Sequence, residues 1–299
     1  MRAIIFLRSY GDFTIAISVF KRARLQGSLP QSNAVQNAGQ GAPWKFYAST
    51  HLQPLYEDLQ KNDSSLNLPI EFVSLGIRHK ILAWFTNKHL FSKGACKEVM
   101  LLKEWKQSLG AEADLYLEQR KRAWLLSFFI GGLKYFVHER GNVYESYAQN
   151  FSVSTNDLLF ESKGSYKKIL ILPESRKPSK SLSVSFINKI VSALSANNHS
   201  GSNHAISIGY FKNIPAIAPK GASLVTHTAF SDLIYLINDS DLIITADSLP
   251  AHLSQLLSKP HFIFYAGKPN TEWLTPFASK YNSFASIGDT SKLLNYINA

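Results

Sequence analysis

The chain has 299 residues, 45% of them hydrophobic, which is enough to bury one large core or two medium ones; two domains of roughly 150 residues fit this length. Its 32 Lys and Arg outnumber 21 Asp and Glu, and the net charge of +11 favours phosphate, nucleic acid, anionic lipid or an acidic substrate as partner. A single cysteine, Cys96, excludes an internal disulfide and a cysteine-based zinc site, and it suits a reducing compartment.

The opening MRAIIFLRSYGDFTIAISVF superficially resembles a signal peptide, but Arg8 and Asp12 interrupt its apolar stretch and no small-residue cleavage site follows. It reads instead as a strand over 3–7 of the kind buried on both faces of a parallel sheet, then a turn, then a helix over 14–24. Residues 25–43, rich in Gly, Pro, Asn and Gln, form a loop. Strands over 45–49 and 70–75 with a helix over 51–60 between them complete a βαβαβ half.

Residues 77–150 are less regular. The segment LYLEQRKRAWLLSFFIGGLKYFVHER (115–140) reads as helical with a break at Gly131 and Gly132. It is either a core helix with a solvated basic face or a patch for an acceptor or a membrane surface. Its apolar run 123–137 is too short to span a bilayer and contains Lys134.

The polar stretch FESKGS (160–165) is a linker, which puts a domain boundary after Ser162: 1–162 and 163–299. A strand restarts within YKKILILPES (166–175), followed by a helix over 183–196 and a loop over 197–204. Strands over 205–211, 241–246 and 261–267 alternate with helices over 230–239 and 250–258. This is a second doubly wound α/β unit with a parallel sheet. DTSKLLNYINA (289–299) is a terminal helix, expected to pack back across the first domain.

Ligands of open parallel sheets bind beyond the carboxyl ends of the strands, and between two such domains the cleft is the natural site. Asp247, Ser248 and His252 fall at one such end, entering the next helix. There the free N–H groups and positive dipole suit a phosphate or sugar hydroxyl, while Asp247 or Ser248 is equally placed to cap the helix ahead of Pro250. Ser175, Arg176, Lys177 and Lys180 form a basic corner after another strand, able to neutralise a diphosphate or simply to remain solvated. Asp12 follows the first strand, with Gly11 allowing a tight turn; it is a candidate general base or the cap of the helix.

RAIIFLRSYGDFTIAISVFKRAR, LPESRKPSKSLS and NDSDLIITADSLPAHLSQLLSKPHFIFYAG, in that order and spacing, resemble the bacterial heptosyltransferases, glycosyltransferase family 9. Asp247, Ser248, His252 and Lys259-Pro260 match the family's late motif, whereas Leu249 stands where the family has Gly. The resemblance implies a GT-B fold of two Rossmann-like domains facing across a cleft, the N-terminal one binding an acceptor and the C-terminal one a nucleotide-diphosphate sugar. It implies Asp12 as general base, Lys180 as the diphosphate contact, and Asp247, Ser248 and His252 as sugar and phosphate contacts; Ser175 and Arg176 join them as donor-binding candidates from their place after the strand. It further implies an inverting, metal-independent enzyme without a cofactor, using an ADP-sugar such as a heptose.

The expected partners are the nucleotide sugar and an anionic glycan or glycolipid such as a lipopolysaccharide core precursor, with no nucleic acid. The expected location is the cytoplasm, at the inner face of the membrane, where the basic-aromatic stretches 78–93 and 119–140 would form a rim. The absence of an Asp-x-Asp pair beside a strand end agrees with metal independence, since Asp239 and Asp241 precede their strand. Two other readings stay open: another GT-B enzyme such as a nucleotide-sugar epimerase, and a non-catalytic carbohydrate or nucleic-acid binder on the same scaffold.

Overall fold

The computed structural model describes residues 2–7, 9–27, 44–75, 93–110, 113–117, 123–135, 141–162, 165–197, 204–212 and 217–299. The chain divides into two compact units, Met1–Ser154 and Thr155–Ala299.

In the first unit, β1 (Arg2–Phe6) lies between β2 (Trp44–Ser49) and β4 (Asp114–Leu117), with β3 (Ile70–Val73) and β5 (Leu133–Tyr135) outside them, all parallel in the order β3-β2-β1-β4-β5. The unbroken apolar run of β1 follows from burial on both faces. On one face Phe6 meets Phe13 and Phe20 of α1 (Tyr10–Leu25) at ring distances of 5.5 and 5.8 Å. Helix α2 (Gln53–Asn62) connects β2 to β3. On the other face Ala3 and Ile5 pack with Leu115, Leu117 and Leu102 of α3 (Lys93–Ser108). Helix α4 (Val143–Asn150) closes the unit beside α1, where Phe151 meets Phe20 at 4.5 Å.

Two expectations are corrected here. Ser9 and Asp12 form a capping box that starts α1 at Tyr10, so Gly11 sits inside the first helical turn and makes no tight turn. The described residues of 115–140 do not form a broken helix. Leu115 and Leu117 are buried while Asp114 and Tyr116 are half-exposed, the period-2 pattern of β4. A 3-10 turn over Ala123–Phe128 follows, and Gly132, at φ +73°, leads into β5. Phe128 and Phe129 are 75% and 56% exposed. Of the basic-aromatic rim, residues 78–92, 119–122 and 136–140 lie outside the described residues.

The second unit has six parallel strands in the order β11-β10-β9-β6-β7-β8. They are β6 (Lys168–Leu172), β7 (Ala205–Phe211), β8 (Ala222–His227), β9 (Leu242–Ala246), β10 (His261–Tyr265) and β11 (Phe284–Ser286). The helices are α5 (Val184–Asn197), α6 (Phe230–Asp239), α7 (Leu249–Leu256), α8 (Pro276–Tyr281) and α9 (Ser291–Ile297). Edge strands β8 and β11 were not evident in the sequence.

The division falls after Ser154 rather than after Ser162, because residues 155–162 are tied to the second unit. Gln255 Nε2 donates to the Leu158 carbonyl at 2.8 Å, and Phe160 stacks on Phe277 at 4.6 Å. Helix α9 buries Leu293 and Ile297 in the second unit's own core. Among the described residues no helix is long and apolar enough to cross a membrane.

Strand order locates the ligand side of each sheet. The chain winds outward from β1 through β2 and β3, then restarts on the other side with β4; likewise it runs from β6 through β7 to β8 and restarts with β9. The switch points, β1/β4 and β6/β9, are where loops diverge and leave room for a ligand beyond the carboxyl ends.

Candidate active site

At the β6/β9 switch point, Leu172 pairs with Thr245, so the loops that follow leave the sheet side by side. The β6 loop is folded back on itself. Leu182 N–H donates to the Pro173 carbonyl, Ser175 N–H donates to Ser181 Oγ, both at 2.9 Å, and a 3-10 turn over Pro178–Lys180 carries the lysine. Lys180 Nζ donates to Asp247 Oδ2, forming an ion pair in which the lysine side chain is 39% and the aspartate 12% exposed. Two residues taken from separate motifs are thus joined into one site. Arg176 and Lys177 are exposed on the same loop.

Ser248 is the N-cap residue of α7, but its side chain caps nothing. Its Oγ lies within hydrogen-bond reach of two carbonyls, that of Glu174 at 3.3 Å and that of Ala246 at 3.2 Å, linking the end of β9 to the β6 loop. Pro250 in the first helical turn has no N–H to donate. His252, by contrast, is only 5% exposed, and its charge acts on His261. Leu249 is half-buried in the first turn of α7.

Three further groups at this end of the sheet carried no sequence signal. Glu174 accepts the Phe211 N–H, bracing the ends of β6 and β7. His227, at the end of β8, is held below the ordinary imidazole value by burial, against the pull of Glu174 and Asp232. Tyr265, the last residue of β10, is 3% exposed, and its hydroxyl is buried without a hydrogen-bond partner. Burial, and then the charge of Asp247, push its pKa up. Sequence alternation marks Tyr265 only as core; its relation to Asp247 needs the strand order.

The opposite end of the sheet is structural. Lys259, of the Lys-Pro match, donates from Nζ to the carbonyls of Asn238 and Ser240, binding the end of α6. Asp239 pairs with Lys168 at 2.8 Å, and Asp241 Oδ2 accepts the N–H groups of Lys167 and Lys168 at 2.9 Å. Both acids therefore lie at the amino end of β6, away from the Lys180 corner. Among the described residues no three His, Cys, Asp or Glu side chains are grouped to hold a metal ion.

In the first unit, Asp12 lies beyond the carboxyl end of β1, beside the β1/β4 switch point, and is 7% exposed. Its Oδ2 accepts from the Ser9 hydroxyl at 2.7 Å and from the Ser9 N–H at 3.4 Å, while Ser9 Oγ accepts the Asp12 N–H at 3.4 Å. The capping role is therefore filled. The same hydroxyl that caps the helix also fixes the carboxylate's orientation. Nearby, Tyr10 donates to the His51 carbonyl at 3.0 Å, and His51 Nδ1 lies 2.8 Å from Ser49 Oγ. Burial raises the Tyr10 pKa.

Against solved structures, the chain aligns over its full length with the E. coli heptosyltransferase WaaC with ADP, covering all of that chain at TM-score 0.57 and 12% identity. The chain has a heptosyltransferase-like fold. E. coli ADP-heptose lipopolysaccharide heptosyltransferase II aligns over 99% of this chain and 97% of its own at TM-score 0.54 and 13% identity. A family 9 glycosyltransferase from Veillonella parvula aligns over 98% and 88% at TM-score 0.55 and 13% identity. No protein-family model matches the sequence. No curated protein matches it either.

Proposed function

We propose that the chain is an inverting glycosyltransferase that needs no bound metal and moves a sugar, a heptose or a close relative, from an ADP-linked donor to a hydroxyl of an anionic cell-surface glycan precursor such as lipopolysaccharide core. The observation that carries this reading is the Lys180–Asp247 pair at the β6/β9 switch point. A cation there can bear the charge of a leaving diphosphate, and an acid beside it can accept sugar hydroxyls. The likeness in fold to a heptosyltransferase crystallised with ADP-2-deoxy-2-fluoro heptose, at TM-score 0.55, supports the choice of donor.

In this mechanism the first unit binds the acceptor and the second the donor. Asp12 takes the proton of the attacking hydroxyl, as a carboxylate already oriented by Ser9 can do without reorganisation. The acceptor oxygen forms a bond to the anomeric carbon as the bond to the phosphate oxygen breaks. That oxygen leaves with the electron pair, its charge offset by Lys180 and by the N–H groups entering α7. One displacement inverts the anomeric configuration. Ser175, Arg176 and Ser248 hold the diphosphate and sugar. His252, buried within α7, contributes from the helix whose first turn borders the site. The protein would work in the cytoplasm at the inner face of the membrane, with its net charge of +11 facing an anionic acceptor.

The test is incubation with ADP-heptose and a panel of UDP-, GDP- and dTDP-sugars in the presence of lipopolysaccharide core acceptors. The expected result is consumption of the ADP-sugar with an inverted product, and a loss of at least a hundredfold in Asp12→Asn. Full activity in Asp12→Asn contradicts the assignment of the base, and an interconverted free nucleotide sugar instead of a transferred one points to an epimerase.

A further inference from the structure

The hydroxyl of Tyr265 is buried and has no hydrogen-bond partner, while the charge of Asp247 acts on it. A buried polar group left this way needs an explanation, because it forgoes its interaction with water for nothing in return. The strand register supplies the neighbour. Ala246 pairs with Phe264, and the Asp247 N–H continues the ladder by donating to the Phe264 carbonyl at 3.1 Å. One step further along, Asp247 and Tyr265 stand side by side at the ends of adjacent strands β9 and β10, and period-2 alternation sends both side chains to the same face. The Asp247 carboxylate is 12% exposed and takes its charge partner from Lys180.

We propose that Tyr265 is a positioning residue that replaces Lys180 as the hydrogen-bond donor to Asp247 when Lys180 turns to the donor's diphosphate. The proposal rests on the reading of this corner as the donor site. One lysine cannot serve both a diphosphate and a buried carboxylate at full strength. Moving it away would leave Asp247 unpaired in a poorly solvated place, a cost large enough to oppose binding. Tyr265 removes that cost once the freed Asp247 side chain rotates onto its hydroxyl, a change of side-chain torsions with no backbone movement. The ligand-free protein accepts an idle phenol so that the loaded one has no orphan acid. Asp247 is then held in place to receive the sugar hydroxyls.

Removing Lys180 should imitate its departure, so the proposal can be tested without any nucleotide. Thermal unfolding is measured for wild type, Tyr265→Phe, Lys180→Ala and the double variant. In the wild-type background Tyr265→Phe should move Tm by less than about 1 °C, because the lost hydroxyl bonds nothing; in the Lys180→Ala background it should lower Tm by about 3 °C or more. Equal shifts in the two backgrounds overturn the proposal. Titration with ADP is the second readout. Tyr265→Phe should weaken ADP binding about tenfold with Asp247 present and less than about twofold in Asp247→Asn, and equal losses in both again overturn it. Coupling in Tm together with no ADP binding by wild type counts against the donor-site reading while supporting the replacement of Lys180 by Tyr265.

Discussion

Lowering the pH should destabilise the second unit through one imidazole, that of His261. It is wholly buried at the start of β10, with Nδ1 2.8 Å from the Lys259 carbonyl and Nε2 2.6 Å from Thr275 Oγ1. A carbonyl only accepts, so Nδ1 carries the proton and Nε2 accepts from the Thr275 hydroxyl, which in turn accepts the Ala278 N–H at 3.2 Å. The ring is neutral. Burial, reinforced by the charge of His252, lowers its pKa from 6.5 to about 4. Between those values the unfolded chain binds a proton that the folded chain does not. The contribution is therefore fully present above pH 6.5 and is lost as pH falls toward 4. The gap corresponds to about 3 kcal/mol, or roughly 6–12 °C in the melting temperature of a unit of this size.

The assay is thermal unfolding of wild type and His261→Asn at intervals from pH 7.5 to 4. His227, depressed in the same direction, adds a slope of the same sign, so the diagnostic is the difference between the two proteins. Asp63, Asp232 and Asp289, whose carboxyls are held below the ordinary value, lose their contributions below this window. His261→Asn should be less stable at pH 7.5 and close the gap on wild type by about 3 kcal/mol as the pH approaches 4. Parallel pH curves for the two proteins would refute the reasoning, since the imidazole would then not be kept neutral by the fold.

Other consequences follow from single contacts. Phe20→Ala, emptying a ring cluster with Phe6, Phe46 and Phe151, should cost the first unit about 3–5 kcal/mol, read as an earlier calorimetric transition for that unit. Ser248→Ala should cost about 1 kcal/mol by untying β9 from the β6 loop, with a matching fall in the denaturant midpoint. Lys259→Met should cost about 2 kcal/mol by stripping the Asn238 and Ser240 carbonyls of their charged donor, yet leave ADP affinity within about twofold, because it lies at the far end of the sheet.

The second unit was readable nearly element by element because its central strands, KILIL and LIITA, are buried on both faces and so appear as continuous apolar runs. Its edges were not, since β8 alternates weakly and β11 has only 3 residues. In the first unit, reading failed after residue 77 for the same reason. Strands β4 and β5 have 4 and 3 residues, too few for a pattern to outweigh the basic and aromatic residues around them. Of the site, Lys180 and Asp247 were each evident as a polar group after a buried strand, but their pairing depends on β6 and β9 being neighbours, a fact of sheet order that local spacing does not contain. Asp12 was visible both as base and as cap. The cap is what the structure displays, and it moved the helix start back to Tyr10. His252 and Tyr265 show the limit most plainly: burial, which decides what each can touch, is a property of the assembled sheet and its helices.

The account stands chiefly on the Lys180–Asp247 corner being a nucleotide-diphosphate site that works through a protein cation. Calorimetric titration of wild type and Lys180→Ala with ADP, UDP, GDP and dTDP, first without metal and then with Mg²⁺, tests this directly. The account predicts that ADP binds wild type without metal, that Mg²⁺ changes its affinity by less than about threefold, and that Lys180→Ala weakens it by about tenfold or more. Binding that requires Mg²⁺, equal affinity in Lys180→Ala, or no binding of any of the four nucleotides would contradict it.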